Sequence, residues 1–248
     1  MEQKWVKSFY KKQFEWFPYL HEYSEEYDEM AKEIASQVGK PFQSVLEIGA
    51  GNGNLARAIA TLGKEVTTVE LVPELVEYAK QFKNENITSL CGSFYDIDLP
   101  ETFDVLLYID GFGVGEDSDQ LFLLKRVYNW LKQDGMALID IYNPNYWEKA
   151  DGKSMYIDQS RKVLREYKYD KKNHRMLDVW WKEENPEDTH SQSLACYSIG
   201  EIEKLCKEAG LKIIDIFPGG AMDWDEWKYY EKVSLEECLA YRIKAVRA

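Results

Sequence analysis

The sequence predicts an α/β fold built on a doubly wound, mostly parallel sheet. Three observations carry that prediction. Short β-branched runs alternate with helical patterns along the middle of the chain. Three glycines (Gly49, Gly51, Gly53) stand at alternate positions directly after the first run. Acids end or follow the next three runs, at Glu70, Asp96 and Asp110. In an open parallel sheet such positions face the ligand crevice at the carboxyl ends of the strands.

The first 38 or so residues read as helical. Trp5, Phe9, Phe14, Phe17 and Leu20 recur every three to five residues, and Pro18 interrupts them. A second helix is expected from Ser24 to Val38, with Ser24 as its N-cap and Tyr27, Met30, Ala31, Ile34 and Val38 on one face. Residues 1–40 are thus a helical cap. Its aromatics, among them Tyr10, either form a lid over a pocket or simply pack on the core.

Val45 to Ile48 is short and apolar enough for a buried parallel strand. The glycines then supply a tight turn, and Asn54 is placed to cap a helix running to Leu62. Val66 to Glu70 is the second strand, followed by a helix whose first turn holds Pro73. Ile87 to Cys91 and Phe103 to Ile109 are the third and fourth strands. Gly111, Gly113 and Gly115 predict a flexible loop after the fourth. A helix from Asp117 to Leu131, a turn at Lys132 to Gly135 and a fifth strand from Ala137 to Tyr142 complete the series.

Residues 148–198 lose the helical period. Arg161 to Tyr169, Met176 to Trp181 and Ser191 to Tyr197 predict a three-stranded antiparallel insertion that covers a substrate, forms a homodimer or packs on the body of the chain. Ser198 with Glu201 has the S-x-x-E spacing of a capping box, opening a helix that Gly210 ends. Leu211 to Phe217 is a strand, and Leu235 to Val246 reads as either strand or helix.

Composition narrows the function. A net charge of −13 argues against a nucleic-acid partner, because phosphate contacts need a basic face. The chain contains no apolar run of the ~18 residues a membrane span requires, and its first residues lack signal-peptide character, so a cytoplasmic protein is expected. The four cysteines have no C-x-x-C spacing, so no metal site is expected.

The glycine turn discriminates among cofactors. The dinucleotide fingerprint G-x-G-x-x-G would place its third glycine at Asn54, and the G-K-[ST] of a phosphate-binding loop is absent. The stretch Glu47-Ile48-Gly49-Ala50-Gly51-Asn52-Gly53 instead reads E-x-G-x-G-x-G. That motif, with Glu70, Asp96 and Asp110 in order, resembles the class I S-adenosylmethionine (SAM)-dependent methyltransferases of the small-molecule type, over about residues 42 to 217.

The resemblance implies a mostly parallel seven-stranded Rossmann-like sheet with an N-terminal helical lid and a small antiparallel β insertion, all in one methyltransferase domain. It implies SAM as cofactor, held by Glu47, Gly49, Ala50, Gly51 and Gly53 at the methionine end. Glu70 would meet the ribose, and Leu71 would also contact the cofactor. Asp96, with Asp98 in reserve, would meet the adenine amino group, and Phe94 and Tyr95 the ring. Asp110 would lie near the transferred methyl and a small-molecule acceptor. Asp110, Tyr10 and His21 are the catalytic candidates, with Tyr142 beside them; His174 and His190 are less well placed. Transfer to N or O of the acceptor is the expected reaction. A SAM-binding regulatory protein without catalysis and an NAD(P)-dependent oxidoreductase are the alternatives.

Overall fold

The computed structural model describes residues 4–17, 19 and 22–248. Its centre is a seven-stranded sheet formed by β1 (Ser44–Ile48), β2 (Glu65–Glu70), β3 (Ile87–Cys91), β4 (Phe103–Tyr108), β5 (Leu131–Tyr142), β10 (Leu211–Pro218) and β13 (Ala240–Arg247). The order is β10-β13-β5-β4-β1-β2-β3, and only β13 runs antiparallel to its neighbours. The strand order reverses between β1 and β4, which is where an open α/β sheet leaves its crevice.

The central strands are apolar on both faces because helices cover both. Val45, Val66, Val105 and Leu107 pack with Ala31, Ile34 and Val38 of α2 (Glu25–Val38) and Leu55 and Ile59 of α3 (Asn54–Thr61). Leu46, Ile48, Leu106 and Tyr108 turn the other way, toward Leu123, Leu124 and Val127 of α5 (Asp117–Trp130) and Ile202 and Cys206 of α7 (Ile199–Glu208). The capping box expected at Ser198 and Glu201 is present. So is α4 (Pro73–Ala79), with its proline in the first turn.

Several details depart from the sequence reading. The insertion has four strands, not three: β6 (Ser154–Asp158), β7 (Val163–Asp170), β8 (Arg175–Lys182) and β9 (Asn185–Ala195), in that order across the sheet. β9 begins in the polar stretch Asn185-Pro186-Glu187-Asp188 because Lys182 pairs with Asn185 across a tight turn. β9 is an edge strand, where proline and exposed charges are tolerated. A short helix, α6 (Pro144–Ala150), leads into this sheet, capped by Asn143 accepting from the Asn145 amide at 3.1 Å.

Lys132 to Gly135 forms a bulge within β5, marked by the register jump from Phe103↔Leu131 to Val105↔Met136, rather than a separate turn. The ambiguous last segment is strand β13. Asn54 does not cap α3: Gly53 does, at φ 77°, while the buried Asn54 side chain donates to Glu22 O at 2.8 Å. The first helix, α1 (Lys4–Trp16), ends before Pro18, which lies outside the described residues.

Candidate active site

The cavity at the switch point has a volume of about 330 Å3, within the ~300–1,000 Å3 usual for small-molecule sites. Each strand that ends there contributes. Glu47 of β1 and the glycine turn after it, Glu70 at the end of β2 and Leu71 beyond it, Ser93, Phe94 and Tyr95 after β3, and Tyr108 at the end of β4 with Asp110 and Gly111 beyond it all line the cavity. Val6, Tyr10 and Phe14 of α1 close one side.

The glycines are needed for space as well as for conformation. Gly49, Gly51 and Gly53 have φ of 67°, 55° and 77°, the left-handed region that glycine occupies without strain. A Cβ on Gly53 would stand 2.9 Å from Ala79 Cβ of α4, and one on Gly111 2.7 Å from the Tyr108 ring. The turn can therefore lie close to α4, and the Tyr108 ring can lie beneath the loop.

Three acids meet in this cavity by different routes. Glu70 accepts the Gly51 amide at 2.9 Å and the Val72 amide at 2.8 Å. Burial pushes its pKa upward while the amides of Val72, Gly51 and Leu71 oppose that. Glu47 is buried, and its Oε2 has no hydrogen-bond partner among the described residues. Burial, and then the neighbouring charge of Glu70, push its pKa up to about 8, so it is protonated at neutral pH in the ligand-free protein.

Asp110 sits at φ 54° and accepts a short hydrogen bond from the Tyr142 hydroxyl. Desolvation at the cavity wall pushes its pKa up to about 6, against the pull of that hydrogen bond. Tyr10 reaches in from α1, its hydroxyl donating to Gln192 Oε1 of β9 at 3.0 Å.

Of the residues expected at the site, Tyr10, Glu47, Gly49, Ala50, Gly51, Glu70, Leu71, Phe94, Tyr95 and Asp110 all line the cavity. Gly53 stands just behind it as the helix cap. Asp96 and Asp98 are exposed and outside the lining; Asp96 instead follows a turn in which its own amide donates to Ser93 O. His21 lies outside the described residues. His174 is exposed in the β7–β8 turn, and the His190 ring stands edge-on to Trp16, 5.0 Å between centroids.

The loop after β4 is anchored rather than free. Arg175 of β8 donates to Gly113 O at 3.1 Å and to Gly115 O at 2.7 Å, Tyr95 donates to Val114 O at 2.7 Å, and Val114 bridges Leu194 of β9. A Cβ on Gly113 would stand 2.5 Å from Ala195 O, so this glycine permits contact between the two backbones. Arg175, Gln192 and Asp178 were not foreseen. The available signal was Asp178, an acid in the inward-facing set Met176, Asp178, Trp180, where a charge requires a partner.

A family model described as a methyltransferase domain matches residues 19–216. The chain belongs to that methyltransferase family.

The chain is 32% identical over 114 residues to an uncharacterized methyltransferase of Staphylococcus carnosus, covering 46% of this chain and 52% of that protein. It is 24% identical over 182 residues to the cypemycin N-terminal methyltransferase of a Streptomyces species, 70% of this chain and 74% of that one. An S-adenosylmethionine-dependent methyltransferase from Clostridium acetobutylicum shares its fold, with a TM-score of 0.72 at 16% identity over 98% of this chain and 99% of the other. Among the described residues, no three His, Cys, Asp or Glu side chains group to hold a metal ion, and no helix is long and apolar enough to cross a membrane.

Proposed function

We propose that this chain transfers a methyl group from SAM to nitrogen or oxygen of a small-molecule acceptor. The observation that carries the reading is the convergence of Glu47, Glu70 and Asp110, from the ends of three strands, on one cavity around the glycine turn.

The residues present fit the cofactor. Glu47 offers a buried oxygen without a hydrogen-bond partner among the described residues, suited to the cationic methionine end. Each Glu70 oxygen accepts one backbone amide and keeps a lone pair for a ribose hydroxyl. Beyond Gly51 the nearest atom to an added Cβ is Leu75 Cδ2 at 3.9 Å, leaving room against the turn. Phe94 and Tyr95, ring centroids 4.8 Å apart, form the aromatic side of the cavity and suit the adenine, with Leu71 opposite.

When bound, SAM supplies an electrophilic methyl group, so the hard chemistry is the cofactor's. The protein's part is to hold the acceptor atom in line with the bond that breaks and to keep water out, which is mostly proximity and orientation. Asp110 is placed to orient the acceptor and receive its proton. Helix α1 and the β6–β9 sheet, joined by the Tyr10–Gln192 hydrogen bond, cover the acceptor end.

Calorimetry with SAM and with NAD, followed by assay of S-adenosylhomocysteine formation on a metabolite panel, tests this reading. SAM binding and turnover are expected. Tight NAD binding without SAM binding would reject it.

A further inference from the structure

The tyrosine hydroxyls around Asp110 share one hydrogen-bonding polarity. Tyr108 donates to Gly111 O at 2.6 Å and Tyr95 to Val114 O at 2.7 Å. Carbonyls only accept, so both hydroxyl protons are committed to the protein. Tyr142 donates to Asp110 itself.

Tyr10 is fixed by a longer chain. A glutamine amide can face either way, but Gln192 Nε2 lies 3.3 Å from Asp178 Oδ2. Asp178 is fully buried and forked on Arg165, whose Nε stands 3.0 Å from Oδ1, so it is a carboxylate and only accepts. Gln192 must therefore turn its oxygen to Tyr10, and Tyr10 must donate to it.

The tyrosine oxygens that line the cavity near Asp110 thus present lone pairs and no proton. Asp110 adds a carboxylate. No lysine, arginine or histidine occurs among the described lining residues. The remaining side-chain donors come from elsewhere: Asn52 on the glycine turn, Ser93 after β3, Gln13 on α1 and Tyr27 on α2.

We propose that the methyl acceptor is a primary amine whose two N–H groups are received by the Asp110 carboxylate and the Tyr10 phenolic oxygen. This rests on the methyltransferase reading above and names its acceptor class. A primary amine has two N–H groups for these two acceptors and one lone pair left for the methyl. A hydroxyl has one proton and leaves an acceptor unmatched. A carboxylate or phosphate acceptor sets lone pairs against lone pairs, and a site built for N–H groups discriminates strongly against ligands that lack them.

The amine reacts as its free base. Its lone pair forms the N–CH3 bond while the S–CH3 bond breaks and leaves its electron pair on sulfur. The nitrogen, now an ammonium, gives its proton to Asp110, which passes it to water. Gln192 and Asp178 are positioning residues that set the polarity of Tyr10.

The test incubates the protein with trideuteromethyl-SAM and a cell metabolite extract and locates the label by mass spectrometry. Label on an amine nitrogen is the expected result. Label on oxygen or carbon overturns the proposal, as does SAM binding with no labelled product. Failure to bind SAM in calorimetry would instead defeat the methyltransferase reading. Using the amine so identified, Tyr10→Phe and Gln192→Leu should each raise its KM about tenfold with a smaller change in kcat. Both variants should weaken its equilibrium binding to the S-adenosylhomocysteine-loaded protein by a similar factor and leave SAM affinity unchanged. Unaltered amine binding in both variants would remove Tyr10 from the acceptor site.

Discussion

Glu70, the last residue of β2, accepts the Gly51 amide from the turn after β1 at 2.9 Å. One carboxylate thereby fixes the turn, and under the proposed function its remaining lone pairs meet the ribose of SAM. Glu70→Gln has one acceptor oxygen for two backbone donors, so its NH2 must face an amide. SAM affinity should fall about 10- to 100-fold, the ~1.5–3 kcal/mol of a hydrogen bond to a charged group. Calorimetry reads this directly, and an unchanged Kd would show that Glu70 does not hold the cofactor.

Under the proposed function, Glu47 should make cofactor binding pH-dependent. Its pKa of about 8 in the ligand-free protein means that it must lose a proton to meet a cation at neutral pH. SAM binding at pH 7 should release a proton, seen as a dependence of calorimetric heat on the buffer's ionisation enthalpy. Stability follows the opposite sense from a salt-bridged acid. Between its ordinary value of 4.5 and about 8 the folded state holds the proton more tightly than the unfolded state. Stability from this group is therefore full below that range and declines as pH rises through it. Glu47→Gln should raise the ligand-free Tm at pH 8.5 while weakening SAM binding.

The Tyr142–Asp110 hydrogen bond favours the ionised acid, against the effect of burial. Activity that needs the carboxylate should fall below about pH 6. Tyr142→Phe removes the opposing bond, so the acidic limb of kcat/KM should move to higher pH. A limb that stays in place would show that another group titrates.

Gly53→Ala combines a left-handed backbone at φ 77° with a methyl 2.9 Å from Ala79 Cβ. It should destabilise the fold by about 1–3 kcal/mol, read by urea denaturation, and lower SAM affinity by shifting the turn.

Arg175→Met leaves the Gly113 and Gly115 carbonyls without their donor. A loss of about 1–3 kcal/mol is expected. Amide exchange should quicken across residues 111–116, the segment that Arg175 holds against β9. Unchanged exchange there would show that the Val114–Leu194 bridge suffices alone.

The parts that could be read from the chain are those where one local rule decides. Strands buried on both faces, such as Val45–Ile48 and Phe103–Tyr108, appear as unbroken apolar runs. Acids at their carboxyl ends marked Glu47, Glu70 and Asp110 as candidates, and all three line the cavity. β6 and the first half of β9 escaped because exposed edges carry polar residues indistinguishable from loop. The flexibility expected of Gly111, Gly113 and Gly115 was overturned by partners more than fifty residues away in sequence, among them Arg175 and Ala195. Gln192 could not be found by spacing, because its role is set by cross-strand register: it pairs directly with Asp178 of β8.

The antiparallel β13 stands between β5 and β10, so β10 touches the rest of the sheet only through it. The ladder is therefore not laid down in the order of synthesis. β10 emerges from the ribosome before its strand partner in this sheet, and the sheet is complete only when residues 240–247 pair beside β5. Until then the flank of β5 is an open edge able to accept a foreign strand, and assembly of this protein carries its greatest exposure to mispairing in that interval.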